Sequence, residues 1–102
     1  MSYIYYIDGE KFTTVIPYII PVFKISSPNE NTPALEILST GYKRWCERGR
    51  ILHRLNGPSI INPDETYWFY IKNVQYYGIH DWLLNHPNQD SAFQVEMLLK
   101  YT

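Results

Sequence analysis

Cys46 and His53 are the two side chains whose types and spacing could do nucleophilic chemistry. A thiolate attacks and an imidazole takes its proton, provided the two touch and a third group orients the base. Cys46 is the sole cysteine, and it stands with His53 in a stretch from Arg44 to Arg54 that also holds four arginines. A second chemistry is zinc ligation by Cys46, His53, His80 and His86. Structural zinc sites draw ligands from closely spaced pairs, and this chain has neither Cys-x-x-Cys nor His-x-x-x-His, so no metal or cofactor is expected. A third is recognition of an anionic or aromatic partner by Lys43, Arg44, Arg48, Arg50 and Arg54 around Trp45. Arginine beside aromatic side chains suits both protein interfaces and RNA stacking.

Which of these survives depends on the elements that carry the residues. Three segments share an aromatic residue, a turn residue four places on and an apolar residue seven places on: Tyr5, Gly9, Phe12; Trp45, Gly49, Leu52; Phe69, Asn73, Tyr76. Each predicts a β-hairpin with a two-residue corner at Asp8-Gly9, Arg48-Gly49 or Lys72-Asn73, where Gly and Asn tolerate positive φ. The expected cross-strand pairs are Tyr5 with Phe12, Trp45 with Leu52 and Phe69 with Tyr76. In that register Cys46 faces Ile51, His53 faces Arg44, and alternation sends Cys46 and His53 to opposite faces. No oxyanion donor stands near either, so the expectation is no enzyme. On the same reading Asn73→Gly is neutral or slightly stabilising, because it restores the residue such a corner prefers.

The rest of the chain frames these hairpins. Residues 1–14 form the N-terminal hairpin and 15–41 a proline-rich surface loop, with a short helical turn at Pro33 to Leu38. Residues 42–77 read as a β-meander that turns at Asn56-Gly57-Pro58 and Pro63-Asp64-Glu65. Residues 79–101 change period to two helices, Ile79 to Asn85 and Asp90 to Tyr101, parted by His86-Pro87-Asn88. Trp82, Leu83, Phe93, Met97 and Leu98 are their expected core contacts, and Asp90 or Ser91 the second cap. The fold class is α+β: an antiparallel β-meander of hairpins with short C-terminal helices packed on it, in one domain of 102 residues.

Composition narrows the partners. Nine basic against ten acidic residues leave a net charge of −1, which fits neither a DNA mimic nor a nonspecific nucleic-acid binder. Ten tyrosines favour half-buried pleated surfaces. The longest apolar run, Val15 to Phe23, is cut by Pro17 and Pro21, so no membrane partner is expected. With one cysteine and no basic, apolar leader at its start, the chain is expected in the cytoplasm, of the host cell if viral.

The segment from Trp45 to Asn73 resembles a degenerate MORN-like repeat of small proteins from large DNA viruses, phages and bacteria. Its places are filled by Trp45, Gly49, Leu52-His53-Arg54, Gly57-Pro58-Ser59-Ile60 and Pro63-Asp64, over about residues 43 to 77. Glu65 and Asn73 stand where the pattern has Gly, and Tyr76-Tyr77 lack the His-Arg step. The resemblance implies β-hairpins and a binding role without a shared catalytic site. The expected function is therefore non-enzymatic binding of a host protein, such as a defence nuclease inhibited in the manner of an anti-CRISPR. The expected contact residues are Arg44, Trp45, Arg48, Arg50, Arg54, Tyr67 and Tyr77. An RNA-binding module using the same face, and a structural or scaffold component of a virion, are the alternatives.

Overall fold

Asp8 and Gly9, at φ 50° and 81°, close the first hairpin, between β1 (Tyr3–Ile7) and β2 (Glu10–Thr14). Two successive positive φ angles make a turn whose twist matches that of the strands. The computed structural model describes residues 1–102. Lys72 and Asn73, at 49° and 67°, close β8 (Tyr67–Ile71) onto β9 (Val74–Tyr76) in the same way. The registers pair Tyr5 with Phe12 and Phe69 with Tyr76, as the repeat predicts.

The middle hairpin departs from its prediction by one residue. Positive φ falls on Gly49 (90°) and Arg50 (63°), and the corner takes three residues, Arg48 to Arg50. Strands β5 (Cys46–Glu47) and β6 (Ile51–Leu52) therefore pair Cys46 with Leu52 and Glu47 with Ile51, not Trp45 with Leu52 or Cys46 with Ile51. This short ribbon stands apart from the main sheet, so residues 42–77 are not one continuous meander.

The main sheet has seven antiparallel strands in the order β2-β1-β3-β4-β7-β8-β9, with β3 at Leu35–Ile37, β4 at Tyr42–Arg44 and β7 at Ile60–Ile61. Strand β3 replaces the helical turn expected at Pro33 to Leu38. Between β1 and β4 lies a slot whose backbone groups need partners, and Leu35 and Ile37 fit it in alternation with Glu36. The proline-rich segment adds one turn of 3₁₀ helix at Pro17–Ile19. Strands β1, β4 and β8 run in the same direction, so the Asp8-Gly9 corner, the β5–β6 ribbon and the Lys72-Asn73 corner all lie at one end of the sheet.

Two cores form on opposite faces of this one sheet. Directly opposed residues share a face, which puts Phe12, Tyr5, Leu35, Arg44, Ile60 and Trp68 on one side. Over its β1–β3 part the proline-rich segment packs Ile20, Ile25 and Ala34 on Tyr5 and Cys46. Phe69, one residue on from Trp68, points the other way. There α1 (Ile79–Leu84) and α2 (Ser91–Tyr101) bury Ile79, Trp82, Leu83 and Met97 against it, with Phe93 and Leu98 at the margin. Asp90 occupies the cap position of α2 but makes no side-chain cap bond. Offset cores on two faces give an elongated body, 42 × 25 × 20 Å. No helix is long and apolar enough to cross a membrane.

Candidate functional site

The Leu52-His53-Arg54-Leu55 step works as a joint between the two cores. Arg54 is only 6% exposed and lies over the Trp45 ring, its guanidinium carbon 3.8 Å from the ring centroid. Its Nε donates to the Glu30 carbonyl at 2.9 Å and its Nη1 to the Pro58 carbonyl at 3.2 Å, while the Tyr101 hydroxyl lies against it. No carboxylate stands within ion-pair distance; the two ion pairs of the chain are Lys72–Glu47 and Lys100–Glu96. Burial pulls the guanidinium pKa below its ordinary value, partly offset by Tyr101 and Glu30. A buried cation held by carbonyls and an aromatic face joins the proline-rich segment (Glu30), the sheet (Trp45), the Gly57-Pro58 corner and α2 (Tyr101).

The neighbours of Arg54 complete the joint. His53 Nδ1 accepts the Lys72 N–H at 3.0 Å, seating the third corner on the ribbon. The Leu55 N–H donates to the Glu30 carboxylate at 2.8 Å. His86 Nδ1 accepts the Asn88 N–H, so its Nε2 carries the proton and donates to the Leu55 carbonyl at 2.8 Å. Gly57 is required by close approach: a Cβ there would sit 2.7 Å from Arg54 Nη1 and from the Tyr101 hydroxyl.

Cys46 and His53 do not meet as nucleophile and base. Cys46 is buried in the first core, with its Sγ 3.8 Å from the Ile25 carbonyl, and burial pushes the thiol up to about 11. His53 is engaged with the Lys72 backbone. The separation argued from the sequence survives, although the register behind it was off by one. No three His, Cys, Asp or Glu side chains converge as metal ligands.

The expected contact residues fall into three places. Trp45 and Arg54 are interior, so they support a surface without touching a partner. Arg44 is half-buried, its Nε donating to the Tyr42 hydroxyl at 3.1 Å. Tyr67 and Tyr77 sit at the far end of the sheet; Tyr77 is 82% exposed, and Tyr67 packs edge-on against Tyr101. Arg48 and Arg50 project from the ribbon corner, both exposed.

That corner gains two residues the sequence did not single out. The Gly49 N–H donates to the Phe23 carbonyl at 2.9 Å, and the Arg50 guanidinium lies over the Phe23 ring at 5.4 Å. Phe23 is 63% exposed and Lys24 beside it is exposed. The exposed aromatic and the cations Lys24, Arg48 and Arg50 thus share one tip without carboxylate partners. Phe23 was hidden by its place in a proline-rich segment; the one available signal was a large apolar residue next to a lysine in a loop.

A polar cleft of about 270 Å³ opens between α2 and the Asn31 and Asn56 loops, with Phe93 and Met97 at its floor and Glu96 and Lys100 on its rim. It falls short of the roughly 300–1,000 Å³ of small-molecule sites and lacks convergent buried polar groups. The ribbon tip is the stronger candidate. No family model, curated protein or solved structure matches this chain.

Proposed function

We propose that this chain is a non-enzymatic protein-binding module that uses the Arg48-Gly49-Arg50 tip, with Phe23 and Lys24, against an acidic surface of its partner. One observation carries the reading. Two exposed guanidinium groups without carboxylates flank Gly49, whose N–H bonds the Phe23 carbonyl, and the Arg50 guanidinium lies over the exposed Phe23 ring. Arginine and aromatic anchors dominate interface energetics, and an anchored corner loses little entropy on docking. The burial of Cys46 and the engagement of His53 support a role without covalent chemistry. Positive φ at Gly9, Gly49 and Asn73 and corners gathered at one end give hairpins, and the MORN-like kinship is proposed on the sequence resemblance alone. With its resemblance to virus- and phage-encoded families, that makes the partner a host protein, a defence nuclease being one instance.

The test captures partners from host lysate on the wild-type chain and on the Arg48→Glu/Arg50→Glu double variant, with and without added nuclease. An acidic protein held by the wild type in both conditions and released by the double variant supports the proposal. Equal capture by both chains would remove the tip as the contact surface. Capture that disappears with nuclease and falls steeply with salt would favour the RNA reading, since phosphate contacts release counterions.

A further inference from the structure

The first strand of the sheet order ends in an open edge. Along β1, Tyr6 bonds to Ala34, and Leu38 bonds back to Ser2, so the even residues of β1 face β3 and the odd ones face β2. The residues of β2 opposite those odd ones are Glu10, Phe12 and Thr14. By alternation the N–H and C=O groups of Lys11 and Thr13 point outward, and no bond from the rest of the chain reaches them. The strand runs five residues without a proline or a bulge. It leads directly into a segment whose apolar side chains stand in solvent, Val15 at 68%, Tyr18 at 86% and Ile19 at 53% exposed. An unpaired edge beside exposed apolar side chains is a template for another strand.

We infer that β2 pairs antiparallel with β2 of a second copy of this chain, about a two-fold axis through Phe12. Three features select this occupant. A free row of backbone groups takes an extended strand, and β2 is itself exposed and extended. With the axis at Phe12, Lys11 of each copy faces Thr13 of the other, so all four outward groups of each β2 are paired. In that register Glu10 faces Thr14 and Phe12 faces Phe12, with no like charges opposed. An axis at Lys11 would set two ammonium groups against each other, so the lysine that guards the edge also chooses the register. The other edge of the sheet is closed: Asn73 N–H donates to the Leu52 carbonyl at 2.7 Å and Tyr77 N–H to Asp81 Oδ2 at 2.9 Å, leaving only Gln75 between them. One open and one closed edge stop association at two copies, where two open edges would build a filament. This pairing is independent of the partner-binding tip.

Sedimentation equilibrium of the full chain, from about 10 µM to 1 mM as suits a small interface, reads the outcome. The weight-average mass rises from 12.2 kDa toward twice that value and no further. Thr13→Pro removes an outward N–H that the monomer does not use, and it shifts the midpoint concentration at least tenfold upward. Gln75→Pro on the closed edge leaves the midpoint in place. Amide exchange of the wild type supplies a readout that needs no variant: Lys11 and Thr13 exchange freely when dilute and slow at least tenfold where the mass has doubled. A mass that stays at 12.2 kDa up to 1 mM overturns the inference, as does a doubled mass with unprotected Lys11 and Thr13 amides.

Discussion

Arg54→Ala tests whether the Leu-His-Arg step is structural, and its size can be worked from the contacts. The guanidinium gives two charge-assisted hydrogen bonds, to Glu30 and Pro58, and a stack on Trp45. Each such hydrogen bond contributes about 1.5–3 kcal/mol, and a desolvated cation–π contact about 2 kcal/mol. Desolvation of the buried charge offsets part of that sum, while its removal strands two carbonyls and opens a gap over Trp45. The net loss expected is about 3–5 kcal/mol, the two hydrogen bonds and the stack less the desolvation that the removed charge no longer costs. Unfolding entropy of about 2.1 cal/mol/K per residue over 102 residues turns this into a fall in Tm of roughly 14–23 °C. Arg54→Lys loses less, about 2–3 kcal/mol, because an ammonium keeps one carbonyl bond but neither the fork nor the stack. Arg48→Ala, on the same ribbon but exposed, stays within about 0.5 kcal/mol. Urea titrations read by midpoint, with the slope m checked for constancy, order the three. An Arg54→Ala protein within about 1 kcal/mol of wild type would refute the joint.

Asn73→Gly reverses its sequence-based expectation: the Asn73 carboxamide accepts the Leu52 N–H at 3.3 Å, so the variant loses about 0.5–1.5 kcal/mol by thermal melt despite the easier φ. Glu65→Gly goes the other way, since Glu65 holds φ 65° on an exposed turn, and a gain of about 0.5–1 kcal/mol is expected in the same assay. Cys46, with its thiol pushed up from near 9 to about 11, favours the folded state fully below pH 9, and that contribution is lost as pH rises to about 11. The stability gap between wild type and Cys46→Ala, measured by urea midpoints at pH 8 and pH 11, therefore narrows by about 2–3 kcal/mol; an unchanged gap refutes the burial of the thiol.

Two of three hairpins were legible because their corners obey local rules. Asp8-Gly9 and Lys72-Asn73 put positive φ on the two residues the spacing selects. Arg48-Gly49-Arg50 offers two dipeptides that both contain Gly49, and the spacing alone does not choose between them. The contact to Phe23 does: the Gly49 N–H is taken by a carbonyl 26 positions earlier, and that bond belongs to tertiary structure. Strand β3 was hidden for a related reason. Leu35-Glu36-Ile37 is too short to show a period, and it becomes a strand only because β1 and β4 present facing edges. The helices, with longer apolar stripes, were found to within a residue at each end.

The expected site mixed two kinds of arginine that no sequence rule separates. Arg48 and Arg50 flank a glycine at the tip of a ribbon, while Arg54 precedes the Gly57-Pro58 corner that folds back over it. In the linear pattern all three follow Trp45 within nine residues. Burial divides them: Arg54 stacks on Trp45 inside, and Arg50 and Phe23 make the same kind of contact at the surface, 5.4 Å apart. A cation–π pair inside holds the frame, because each group is desolvated and the guanidinium is bonded on its edges. The same pair outside leaves the edges of its guanidinium free for another molecule. The Leu-His-Arg step thus contributes the interior pair to the frame, and the proposed binding surface rests on the pair outside it.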